Sequence, residues 1–128
     1  MLTVAAWISA VLAMLVMIFQ ICLASGAPWG AYALGGQNAG VLPKRLRVVS
    51  VINAGVMAII VFHYSVMAGV FTPFFDRPVE IVINWVLAAF AAVALLMNSI
   101  SRSKGERNLW APFSAVMLVV NLGVALSY

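Results

Sequence analysis

Charge is scarce in this sequence. Only 8% of its 128 residues are Asp, Glu, Lys or Arg, where a soluble domain carries about 25%. A soluble protein of this size is mostly surface and would have to coat that surface with apolar side chains. A soluble globular enzyme is therefore excluded. Disorder is excluded as well, because a disordered chain combines low hydrophobicity with high net charge. Cysteine is nearly absent: the single Cys22 rules out an internal disulfide, a CxxC redox pair and a cysteine-rich metal site. His63 is the one histidine, and zinc asks for three or four protein ligands. With only Asp76 and Glu80 as conceivable partners, no metal centre is expected. The HExxH and GxSxG patterns and paired intramembrane aspartates are missing, so no catalytic residue and no cofactor is assigned, and the chain is not expected to be an enzyme. No basic stripe interleaved with aromatics is present, which argues against nucleic acid as a partner.

What the sequence has in abundance is apolar residues, at 66%. They fall in four continuous runs, and crossing a hydrocarbon core of about 30 Å takes about 20 helical residues. Spans are predicted over about 2–24, 46–71, 79–98 and 109–128. A transmembrane barrel would show alternating segments of about 10 residues instead, and unclosed strands cannot cross lipid. The expected fold class is an all-α membrane protein. It is a four-transmembrane-helix bundle, one integral membrane domain over residues 1–128, with a long glycine-rich first loop over 25–45. The first run has no basic stretch before it and exceeds the apolar segment of a signal peptide, about 7–15 residues, so it reads as a retained span. Pro43 suits the first turn of the second helix. Phe71-Thr72-Pro73 would end that helix, since the residue before a proline leaves the α region. Pro78 opens the third helix, Gly105 acts as a breaker, and Asn108 is the expected N-cap of the fourth, with Pro112 in or just past its first turn.

The few charges specify an orientation. Lys44, Arg45 and Arg47 lie in or beside loop 1, and Arg102, Lys104 and Arg107 lie in loop 3. Loop 2 holds Arg77 alone. The positive-inside rule then puts loops 1 and 3 in the cytoplasm and both termini outside. Loop 1 exceeds the 2–8 residues or so that a helical hairpin needs, and it is nearly uncharged. Two readings stand for it. It is an interfacial loop with Trp29 and Tyr32 at headgroup level, or a re-entrant lid whose glycines let backbone approach a ligand. Its Gly35-Gly36-Gln37-Asn38 stretch lacks the lysine of a phosphate loop.

Polar side chains within spans are costly and face protein or water. At 1.5 Å per residue they sort into two layers. An outer layer holds His63, Tyr64, Asp76, Glu80, Asn84 and Asn121, and its candidate ligand-binding or proton-linked members are His63, Tyr64, Glu80, Asn84 and Asn121. An inner layer holds Gln20, Ser50, Asn53, Asn98 and Ser114, beneath loop 1 with its Trp29, Gly35, Gly36, Gln37 and Asn38. Glu80, Asn84, Ala88, Ala91, Leu95 and Asn98 share one stripe of helix 3, and Ser114, Met117, Asn121 and Ala125 share one of helix 4. Gly55 and Gly69 offer helix 2 a second small-residue face. Amides on small-residue stripes are most simply interhelical hydrogen-bond partners. Glu80 is accounted for by the helix dipole and Arg77.

Two stretches carry a resemblance. One is Gly26-Ala27-Pro28-Trp29-Gly30 with Gly35-Gly36, Leu42-Pro43 and Arg47. The other is Asn98, Ser101 and Ser103 with Glu106-Arg107 and Leu109-Trp110-Ala111-Pro112. Together they resemble an uncharacterised group of small four-span bacterial membrane proteins with no established activity. The resemblance implies architecture and a bacterial inner membrane. It also implies a cytoplasmic corner at which loop 1 meets Glu106, Arg107 and Trp110, with Glu106 paired to a basic residue of loop 1. Function is expected to be that of an accessory bundle, which self-associates or binds other membrane subunits in the lipid bilayer. The alternative is a homo-oligomeric transporter, channel or binder of lipid or another hydrophobic ligand, using the polar layer or loop 1. A solid core with paired amides favours the first reading, and a continuous cavity lined by polar groups favours the second.

Overall fold

The computed structural model describes all 128 residues. It is all-helical, and its four helices are α1 (Leu2–Ser25), α2 (Lys44–Met67), α3 (Arg77–Ser99) and α4 (Lys104–Ser127). All four are long and apolar enough to cross a membrane. Two short 3-10 turns, Gly30–Tyr32 and Leu34–Gly36, punctuate loop 1. This is a four-helix membrane bundle.

Helix ends follow local chemistry, and at three points they depart from expectation. Gly69, with φ 83°, closes α2 at Met67, four residues before Phe71, in a Schellman arrangement. The Val70 N–H bonds the Ser65 carbonyl and the Gly69 N–H bonds the Val66 carbonyl. Gly69 therefore lies beyond the helix, and Gly55 is exposed with open space around it, so the second face expected on α2 meets no neighbour. Helix α4 starts at Lys104, with Ser103 rather than Asn108 as N-cap; the Ser103 hydroxyl accepts the Glu106 N–H at 3.1 Å. Gly105 is then part of the first turn and not a breaker, and Pro112 lies inside the helix. Pro43 stands just before α2 as its N-cap residue rather than within its first turn.

Packing is uneven in a way that matters. Helix α1 lies along both α2 and α4, and α4 lies along α3; α2 and α3 share no comparable seam. The close α1 contacts are made possible by the small residues Ala6, Ser9, Ala10 and Ala13, all buried, as helix association in lipid requires. They meet Met57, Ile60 and Tyr64 of α2, Ala91 of α3 and Met117 and Val124 of α4 in the main core cluster. The stripes on α3 and α4 point inward: Glu80, Asn84, Ala88 and Ala91 are buried on one, and Ser114, Met117, Asn121 and Ala125 on the other. Large apolar side chains such as Trp7, Leu15, Ile59, Val82 and Val119 face outward, where lipid is the solvent they suit.

Candidate functional site

The missing α2–α3 seam leaves a space. A cavity of about 560 Å³ lies on the side of loop 1 and loop 3, lined by all four helices and by loop 1. That volume falls within the range of about 300–1,000 Å³ typical of small-molecule sites. Its walls are apolar: Val16, Phe19 and Leu23 of α1, Met57 of α2, Phe90, Ala94 and Met97 of α3, and Phe113 and Met117 of α4. The polar groups on those walls are Gln20, Ser50, Asn53, Asn98, Ser101, Glu106 and Ser114. Asn53 sits nine residues into α2 and Ser114 ten residues into α4, about 14 and 15 Å from the helix starts, so the cavity reaches toward mid-bilayer.

These polar groups differ in how they are satisfied. The Asn98 amide donates to the Ser114 hydroxyl at 2.8 Å. The Ser50 hydroxyl turns back to the Leu46 carbonyl at 3.4 Å. The Ser101 hydroxyl donates to Glu106 Oε2 at 2.5 Å. Gln20 and Asn53 have no hydrogen-bond partner in the protein, yet neither is buried away: both stand half-exposed to the cavity. A carboxamide held among apolar atoms without a partner costs roughly 2–7 kcal/mol. Those two amides therefore require water or a polar ligand group in the cavity.

Loop 1 forms the end wall. Tyr32, Ala33, Leu34 and Gly35 line the cavity, and the loop is fastened to the start of α4. The Trp110 indole N–H donates to the Tyr32 carbonyl at 2.8 Å, and the Ser103 hydroxyl donates to the Ala31 carbonyl at 2.7 Å. Phe19 stacks on Trp29 at 6.0 Å between centroids and meets Trp110 edge-on at 4.8 Å. Glycine is needed where the strands of the loop close on each other. A Cβ on Gly30 would stand 1.8 Å from the Asn38 carbonyl oxygen, and one on Gly36, where φ is 70°, would stand 2.5 Å from Ser103 Cβ. Arg47 clamps the other end through Nε to the Ala24 carbonyl at 2.9 Å. The corner of loop 1, Glu106, Arg107 and Trp110 is thus assembled, with one correction. Glu106 takes the Ser101 hydroxyl rather than a basic residue of loop 1, because Arg47 is committed to Ala24 and Arg107 donates to the Ser101 carbonyl.

No protein-family model, no curated protein and no solved structure matches the chain.

The outer layer does not converge on that cavity. His63 Nε2–H donates to Asn84 Oδ1 at 2.7 Å, and the Asn84 amide leans on Met67 Sδ at 3.5 Å. Asn121 Oδ1 accepts the Ser9 hydroxyl at 2.8 Å while its Nδ2 donates to the Leu87 carbonyl at 3.4 Å. Tyr64 is fully buried with its hydroxyl unpartnered. Glu80 is buried and accepts the Tyr128 hydroxyl; Arg77 reaches the Tyr128 carbonyl rather than Glu80, with its guanidinium 5.4 Å above the Tyr128 ring. Asp76 is exposed. The one space here is a small apolar pocket of about 110 Å³ beside His63 and Glu80. Of the loop residues singled out, Gly35 lines the main cavity, while Trp29, Gly36, Gln37 and Asn38 do not. The apolar walls (Phe19, Met57, Phe90, Met97 and Phe113) escaped sequence reasoning, since an apolar residue in an apolar run announces nothing about which neighbour it lacks.

Proposed function

We propose that this protein binds a lipid-like molecule in the cavity between α2 and α3. The observation that carries this is the pair of unpartnered amides, Gln20 and Asn53, on the walls of an otherwise apolar space. Apolar walls suit a hydrocarbon body, and a few fixed polar groups orient a head. The absent α2–α3 seam offers a lateral entrance from the bilayer. The outer-layer pairs His63–Asn84, Ser9–Asn121 and Glu80–Tyr128 form the end that holds the helices together, so a ligand binder is favoured over an accessory bundle. We place the chain in a bacterial inner membrane, with loops 1 and 3 cytoplasmic and both termini outside. The basic residues of those loops support this, as does the resemblance to small four-span bacterial proteins. The cavity then opens in the inner leaflet.

The test is native mass spectrometry of the protein released from nanodiscs. Wild type is expected to carry a retained lipid mass. Ala94→Trp, which fills the cavity from α3, is expected to lose most of it, while Ala92→Trp on the exposed face of the same helix keeps it. Equal retention by wild type and Ala94→Trp would overturn the proposal.

A further inference from the structure

We infer that the head recognised in this cavity is a primary ammonium, carried on a hydrocarbon body, with the Glu106 carboxylate as its counter-ion. The inference rests on the ligand-binding reading above and names the chemistry of that same site. No lysine, arginine or histidine lines the cavity, and Glu106 is the one ionisable carboxylate that does. Glu106 is 9% exposed, and its side-chain partner is a neutral hydroxyl, that of Ser101, at Oε2. Its other oxygen, Oε1, has no partner within the protein.

The nearby cations are held elsewhere. Arg107 is turned to the Ser101 carbonyl and Arg47 to the Ala24 carbonyl, while Arg102 and Lys104 are exposed. A buried carboxylate without a cation is costly unless something supplies one. Its place in the first turn of α4 suits an anion but does not fill the empty side of the carboxylate. Deeper along the cavity walls, Gln20 and Asn53 carry two amides without partners in the protein. An –NH₃⁺ group brings a full positive charge with three donors and no acceptor, the complement of a carboxylate with one oxygen unpartnered. An anionic head would meet Glu106 as a like charge. Two sources share the required chemistry: an aminophospholipid of the bilayer and a free long-chain amine.

The experiment loads the full-length protein into nanodiscs holding equal parts of an ethanolamine, a choline and a glycerol phospholipid with identical acyl chains, and reads the retained lipid by native mass spectrometry. Wild type is expected to retain the ethanolamine lipid about tenfold over the glycerol lipid, the worth of one charge-assisted hydrogen bond. The choline lipid, charged but without N–H, falls between. Glu106→Gln keeps a partner for Ser101 and is expected to bring the ethanolamine-to-glycerol ratio to about one without lowering total retained lipid. Gln20→Lys, which puts a cation on the cavity wall without touching the α4 cap, is expected to lower the ratio part of the way, and it serves if Glu106→Gln fails to fold.

A second arm adds dodecylamine or dodecanol. Displacement of retained lipid by dodecylamine alone identifies a free amine as a competent ligand. Retention of the ethanolamine lipid unaffected by dodecylamine identifies the bilayer lipid. Equal retention of all three heads by wild type, or a preference unchanged in both variants, overturns the ammonium assignment and leaves the cavity reading standing. Loss of the cavity reading shows separately, as an Ala94→Trp protein that retains as much lipid as wild type.

Discussion

At the scale of single residues, the bundle shows two ways of carrying a polar group across lipid. The Ser9 hydroxyl and the Asn121 amide satisfy each other between α1 and α4 at 2.8 Å, both buried. Interhelical hydrogen bonds in membranes are worth about 0.6 kcal/mol on average and up to about 1.7. Ser9→Ala strands Asn121 Oδ1 among apolar atoms and belongs at the upper end of that range. Equilibrium unfolding in mixed micelles should show a loss of about 1–2 kcal/mol. Asn53→Leu removes an amide that has no protein partner, so it should leave stability unchanged or raise it in the same assay. A costly Asn53→Leu would mean that this amide is tied within the fold after all. The contrast between the two substitutions separates structural amides from those that face a ligand.

At the scale of elements, the decisive feature is the fastening of loop 1 to the first turns of α4. Ser103 serves both partners. Its hydroxyl oxygen accepts the Glu106 N–H as N-cap, and its proton goes to the Ala31 carbonyl. Ser103→Ala should therefore cost the cap, about 1 kcal/mol, and loosen the loop at the same time. Amide hydrogen exchange should quicken over residues 26–43 and at the start of α4, while α1 and α3 keep their protection. Trp110→Phe preserves the aromatic contact with Phe19 but removes the indole donor to Tyr32, so it should quicken exchange in the loop alone. Unchanged exchange in the loop for both variants would show that apolar packing by Trp29 and Leu42, not these hydrogen bonds, holds it.

At the scale of the whole molecule, two hairpins, α1–α2 and α3–α4, are joined through α1 and α4 and left apart between α2 and α3. The basic residues cluster at one end of this assembly, where Lys44, Arg45, Arg47, Arg102, Lys104 and Arg107 stand against Arg77 at the other. The proposed orientation rests on that imbalance. In a Cys22→Ala background, a cysteine placed at Gln37 or Arg102 should react with a membrane-impermeant maleimide only after the cells are opened. One placed at Thr72 should react in intact cells. The reverse pattern would invert the bundle and move the cavity to the outer leaflet.

Span number, helix type and the inward stripes of α3 and α4 were readable from the chain alone. Each depends on local composition and on the helical period, which no distant contact can alter. The start of α4 was misplaced at Asn108, although Ser103 three residues before Glu106 carries the capping signal that marks it. Which amides pair was not readable. Asn121 finds Ser9 across 112 residues of sequence, and Asn53 finds nothing, yet both are asparagines in apolar helices. The site was half legible. Gln20, Asn53 and Asn98 stood out as polar residues in lipid-soluble runs, whereas Phe19, Met57, Phe90 and Phe113 could be recognised as walls only once α2 and α3 were seen to part. Composition alone determined that this protein lives in a membrane and where its polar groups lie along each helix, because the cost of burying charge in hydrocarbon is a property of each residue. Only the tertiary structure decided that the outer polar layer closes and the inner one stays open, because a cavity is set by the seam that two helices fail to make.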